Sequence, residues 1–167
     1  MAFLKLIVLE DIVMSKNRIE QYVPRAYEAI KSKHTDIATK YNDDYEVIEG
    51  LKGQIASFGS AINMGNLKSA VAFFSDQGDA KTQRQNLMKA IYLIINEDKD
   101  IDDEKTICKN RSLFEQIVNE KDENKILEFK SKILDAAVAV KLAIRMCKLV
   151  EEKTETKDQK AQGAQNG

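Results

Sequence analysis

His34 is the only histidine in the chain. Most metal-dependent helical hydrolases need several imidazole ligands in one pocket, and a lone histidine cannot supply them. Its place near the end of a helical pattern fits a C-terminal cap instead. The acidic stretch Asp98-Lys99-Asp100-Ile101-Asp102-Asp103-Glu104 resembles the start of a calcium loop, with alternate carboxylates able to meet a hard cation. Two positions break that pattern: Asp103 stands where the sharp turn wants glycine, and Lys109 stands where a bidentate carboxylate must close the site. The stretch reads as a solvated loop. Cys108 and Cys147 lie far apart without a CxxC spacing, and read as reduced cysteines of a cytoplasmic protein.

A phosphodiester could be cleaved by an arginine and a histidine a few residues apart, as in HEPN-type helical ribonucleases. Here Arg25 precedes His34 by a wider gap than that arrangement uses. There is no glycine-rich phosphate loop, serine elbow or cysteine–histidine pair. Charge on helix faces is the remaining chemistry. Lys141, Arg145 and Lys148 recur at spacings of four and three, forming one basic edge along which phosphates would lie. The competing reading is an ordinary solvated face with snorkelling stems. Lys52, Lys68, Arg84 and Lys89 add basic character in the middle of the chain. With a formal net charge of −1, no global positive field draws the chain onto nucleic acid, so any such contact has to be a local patch.

The elements that must position these residues are helical. One proline (Pro24), no tryptophan and seven glycines in 167 residues leave little of the punctuation a β-rich fold needs, and this length suits one domain with a continuous core. Apolar residues at spacings of three and four predict a helix over about 15–33 (Ile19, Tyr22, Val23, Ala26, Ile30), capped by Ser15 or Asn17 and kinked or broken at Pro24. A second helix is predicted over about 44–63 (Val47, Ile48, Leu51, Ile55, Phe58, Ile62), ending at Met64-Gly65-Asn66. A short apolar helix through Phe73 and Phe74 follows. A central helix is predicted over about 80–96, a short one at 112–119, and the longest over about 123–153 in near-heptad register.

The expected architecture is all-α: a single-domain bundle of five to seven helices over residues 15–153. Residues 1–14 read as an N-terminal extension, because Met14 offers a second start, and residues 154–167 as a disordered tail. The apolar run Phe3 to Leu9 is interrupted by Glu10 and Asp11. It is too short to span a bilayer and no cleavage pattern follows it, so no membrane partner is expected.

Two segments, Ala61-Ile62-Asn63-Met64-Gly65-Asn66-Leu67-Lys68-Ser69-Ala70-Val71-Ala72-Phe73-Phe74 and Ile133-Leu134-Asp135-Ala136-Ala137-Val138-Ala139-Val140-Lys141-Leu142-Ala143-Ile144-Arg145-Met146, resemble the small helical subunit of the Cmr complex, the type III-B CRISPR RNA-guided effector. The segment at 61–74 is similar to that family's helix, turn and apolar helix. The segment at 133–146 is similar to its C-terminal helix with a basic exposed edge. The likeness spans roughly residues 15–153. Two departures stand out: the family's Asn-Gly turn is here Gly65-Asn66, and an aromatic common in the last helix is here Ala143.

The resemblance implies a non-catalytic protein of antiviral defence, without a cofactor. Its partners would be the Cmr backbone subunits, neighbouring copies of itself and the guide RNA–target RNA duplex. It carries an RNA-phosphate role to Lys141 and Arg145; Lys148, Lys52, Lys68 and Arg84 extend that role by their charge alone. A stand-alone helical adaptor without nucleic-acid contact, or a HEPN-type ribonuclease, are the alternative functions.

Overall fold

In the computed structural model, residues 2–76, 82–102 and 112–151 are described, with the backbone alone for 2–12 and 82. Among the described residues, six helices and three short strands follow the order α1 (Ala2–Lys31), β1 (Ala38–Tyr41), β2 (Asp44–Ile48), α2 (Gly50–Met64), α3 (Leu67–Ser75), α4 (Thr82–Ile95), α5 (Ser112–Val118), α6 (Glu123–Ile144) and β3 (Lys148–Val150). The predominantly helical bundle expected from the pattern is observed, joined by a small sheet that the pattern did not predict. Among the described residues no helix is long and apolar enough to cross a membrane.

α4 is the hub. Leu87, Met88, Ala90, Ile91, Leu93 and Ile94 are all buried, so this helix is wrapped on most of its circumference, as its wide apolar stripe demands. α6 contributes Ile133, Ala136, Ala137, Ala139, Val140, Ala143 and Ile144 to the same core, and α1 contributes Tyr22, Ala26, Ala29 and Ile30. The alanines let α1 and α6, the most extensively packed pair, approach closely. Ala143 is completely buried. An aromatic ring in its place would overfill the core.

Helix α1 begins at Ala2, not at Ser15, and passes through Pro24 without a break. Proline removes one hydrogen bond to the preceding turn, but Pro24 is on an exposed position where water can satisfy the orphaned carbonyl. Ser15 caps nothing: its hydroxyl donates to Asp135 Oδ1 at 2.6 Å. The C-terminal carbonyls of α1 are met by Thr35, whose Oγ1 donates to Ala29 O (2.7 Å) and Ser32 O (3.1 Å). That is the capping duty expected of His34. The imidazole instead leaves its Nε2 buried and, among the described residues, without a hydrogen-bond partner.

The sheet takes residues from the start of one predicted helix and the end of another. β1 and β2 are antiparallel, with Ala38 opposite Val47 and Tyr41 opposite Asp44, and the connecting Asn42 adopts φ 56°, a left-handed conformation that asparagine tolerates. β3 adds in parallel on the other side of β2. The segment 44–48 is therefore extended, with α2 starting at Gly50, because Tyr45 and Val47 share the inward face of a strand. The last helix stops at Ile144 rather than continuing to Lys153. Arg145, Met146 and Cys147 each donate their N–H to the carbonyl three residues back, a tightened last turn that releases the chain into β3.

At the resemblance's first segment, Gly65 N–H donates to Ala61 O at 3.0 Å, and a Cβ on Gly65 would stand only 3.0 Å from that same oxygen. Asn66 then caps α3, its side chain accepting from Ser69 N–H. The Gly-Asn order thus divides two tasks, close approach and capping, between adjacent residues. The predicted tail at 154–167, Cys108 and part of the acidic stretch lie outside the described residues.

Candidate nucleic-acid interface

The outer face of α6 is built by helix register. Asp122 caps the helix, accepting from Asn124 and Lys125 N–H groups, and the residues opposite the core face emerge on one side: Leu127, Val138, Lys141, Leu142 and Arg145 are all exposed. Lys141 lies in the last turn and Arg145 at the C-cap, where the helix dipole favours positive charge. Among the described residues neither has an acidic partner. Both cations are available to an anion from solution.

Further back on the same helix the charge is consumed internally. Asp135 is 5% exposed and holds Arg18 Nη1 at 2.9 Å through Oδ2 and the Ser15 hydroxyl through Oδ1. Arg18 Nη1 also donates to Ser131 Oγ at 2.9 Å. This cluster fastens α1 to α6. Burial of Tyr22 beside it, with the negative charges of Glu97, Asp135 and Glu128 adding to the effect against Arg18, raises its phenol above the usual range.

The remaining basic residues do not complete one edge with Lys141 and Arg145. Lys148 is on β3, not on the helix, where it faces Glu46 across the strands and pairs with it at 2.8 Å. That hydrogen bond and charge raise the Lys148 pKa. Its ammonium also lies 6.0 Å from the Tyr41 ring. The edge predicted from a helical spacing of three and four thus loses its third member, because the helix ends before it. Lys68 donates its Nζ to Glu120 O at 3.2 Å, tying α3 to the segment that leads into α6. Lys52 is half-buried in the first turn of α2. Since α2 separates Lys52 from Lys68, the two are on the order of 20 Å apart along its axis.

Arg84 has a different neighbour. Its guanidinium carbon is 4.7 Å from the centroid of the Phe73 ring and 5.7 Å from that of Phe74. Gln54 Nε2 donates to Gln83 Oε1 at 3.3 Å, bringing the first turns of α2 and α4, and with them Lys52 and Arg84, to one end of the bundle. The exposed Phe73 was missed in the sequence because it sits inside an apolar run whose other members are core.

The residues with catalytic potential have structural neighbours. Arg25 donates to three backbone carbonyls, Nε to Leu93 O at 2.8 Å and Nη2 to Asn96 O at 3.0 Å and to Lys99 O at 2.5 Å, so it closes the C-terminal end of α4 onto α1. Asp100 accepts the N–H of Asp102, a local turn within the acidic stretch. Among the described residues no group of three or more histidine, cysteine or acidic side chains is placed to hold a metal. Burial raises the Cys147 thiol above its usual range, partly opposed by the nearby Lys31 charge.

Compared with known proteins, the chain matches no family model, no curated protein and no solved structure.

Proposed function

We propose that this chain is the non-catalytic small subunit of a type III-B CRISPR RNA-guided effector complex, stacking with copies of itself beside the backbone subunits and lining the groove for target RNA. The carrying observation is the pair Lys141 and Arg145, exposed on one edge of α6 without an acidic partner among the described residues. They lie in the segment 133–146, whose resemblance to the Cmr small subunit implies a basic edge there. A stack repeats this modest patch at regular intervals, so a chain with a net charge of −1 gains avidity for a polyanion that one copy lacks.

The non-catalytic part of the reading rests on Arg25, engaged with three carbonyls, and on His34, whose Nε2 is buried. Both are poorly placed to exchange protons with a substrate. A stand-alone adaptor is the alternative reading. It is favoured by Leu127 and Val138, apolar side chains exposed on the outer face of α6.

The experiment is a pull-down of tagged protein from its host, with co-purifying proteins identified by mass spectrometry and bound RNA sequenced. Recovery of the Cmr backbone subunits with guide RNAs sharing a common 5′ segment is the expected result. Recovery of a protein partner without RNA selects the adaptor, and RNA cleavage lost in His34→Ala selects the ribonuclease.

A further inference from the structure

β1 is an edge strand. It pairs with β2 on one side, and among the described residues nothing pairs with the other. Tyr41 and Asp44 close a two-residue turn, so they exchange bonds through both their N–H and C=O groups, as do Thr39 and Glu46 two residues further on. The N–H and C=O groups of Ala38 and Lys40 therefore point away from the sheet. Thr39, Lys40 and Tyr41 are exposed, so this edge is open to solvent.

A lysine on an edge ordinarily discourages strand addition. Here its place in the register decides which addition remains. An antiparallel strand must meet Ala38 and Lys40 with outward groups of its own, and a second copy of β1 can do so in three alignments. Lys40 opposite Lys40 sets two ammonium groups against each other and carries the pairing into Asn42, whose φ of 56° is not extended. Ala38 opposite Ala38 gives Lys40 Asp36 as its mate, and Asp36, at φ 52°, is not extended either. Ala38 opposite Lys40 keeps every bond within the two strands. Thr39 then meets Thr39 at the twofold axis, a favourable cross-strand pair, and each Lys40 lies diagonal to the exposed Asp36 of the other copy. The charges are complementary in both directions.

We propose that two copies of this chain pair through β1, antiparallel and centred on Thr39, joining their sheets into one. A twofold contact closes on itself, so both β1 edges are consumed and no fibre grows from them. The pairing belongs to the isolated chain and goes beyond the RNA-binding reading, on which it does not rest.

The test uses the full-length chain alone. Thr39→Cys places the two Cα atoms about 4.5 Å apart at a non-hydrogen-bonded pair, a separation that a disulfide spans, whereas Tyr41→Cys leaves them roughly 14 Å apart. Mild oxidation followed by peptide mass spectrometry is expected to recover a 39–39 linkage and no 41–41 linkage. In sedimentation equilibrium the wild-type mass should rise toward twice the monomer with concentration. Thr39→Lys and Thr39→Glu, each of which sets like charges opposite, should stay monomeric alone and pair when mixed. Position 39 is exposed, so these variants are expected to keep the wild-type circular dichroism spectrum. A wild-type chain that stays monomeric at every concentration, or linkages equally frequent at 39 and 41, would overturn the pairing. So would dimers that persist in Thr39→Lys, which would place the contact elsewhere on the molecule.

Discussion

Two stretches of α6, less than three turns apart, use charge in opposite ways. Around Asp135 the carboxylate is buried and fully engaged by Arg18 and Ser15, so its charge is spent on fastening α1 to α6. At Lys141 and Arg145 the charges are exposed and unpaired among the described residues, and contribute little to the fold. The difference is one of helix face: Asp135 lies toward α1, whereas Lys141 and Arg145 lie on the outer side. Position on the helical wheel, rather than residue type, separates a structural charge from one free to act on a ligand.

The largest effect should come from the buried stretch. Asp135→Ala leaves Arg18 facing a low-dielectric surface without its counter-ion, and is expected to cost about 3 kcal/mol of stability by urea denaturation. Arg18→Leu combined with Asp135→Leu should recover much of that loss, because no charge is then stranded. If the single and double variants are equally unstable, the cluster acts through packing and the contrast with the outer edge dissolves.

Arg25 sharpens the same division. Its guanidinium makes three hydrogen bonds to carbonyls at the end of α4, so Arg25→Met, which keeps the stem but removes the donors, is expected to cost about 2 kcal/mol. RNA affinity per folded molecule should be unchanged, which a binding titration at matched folded fraction would check. A selective loss of RNA affinity would move Arg25 out of the structural group.

The smallest effect concerns alkaline pH. Burial raises both the Cys147 thiol and the Tyr22 phenol, so the folded state keeps protons that the unfolded chain has begun to release. Stability from these groups is therefore complete below the unfolded values and declines as pH rises above roughly 9, through the thiol and then the phenol range. The urea midpoint is expected to be lower at pH 10 than at pH 8, with a shallower decline in Cys147→Ala. An identical slope in that variant would exclude the thiol.

How much of this was legible in the sequence depends on the length of each periodic run. The apolar stripes of α4 and α6 continue over several turns, so the two helices were readable as elements from their period. Val47, Leu51 and Ile55 also satisfy a spacing of four, so β2 was absorbed into the helix that follows it; five residues of strand cannot outweigh fifteen of helix. β3 was hidden in the same way, because nothing between Ile144 and Lys148 is a glycine or proline stop. Its pairing with β2 is a long-range contact that no local pattern announces. This removed Lys148 from the predicted edge. Lys141 and Arg145 were legible because the helix reaches them, whereas the carbonyls that hold Arg25 and the ring beneath Arg84 come from distant segments.

The role of the outer edge of α6 is tested most directly by the salt dependence of target-RNA binding by the assembled complex, with the wild-type chain and with Lys141→Glu/Arg145→Glu. The urea stability of the variant is expected to stay within about 0.5 kcal/mol of wild type. Its RNA affinity should be markedly weaker, with a plot of log affinity against log salt shallower by about 1 to 2, as expected for two lost phosphate contacts per copy engaged. Equal affinity and equal slope would contradict that role, and would leave the outer edge of α6 as a solvated surface.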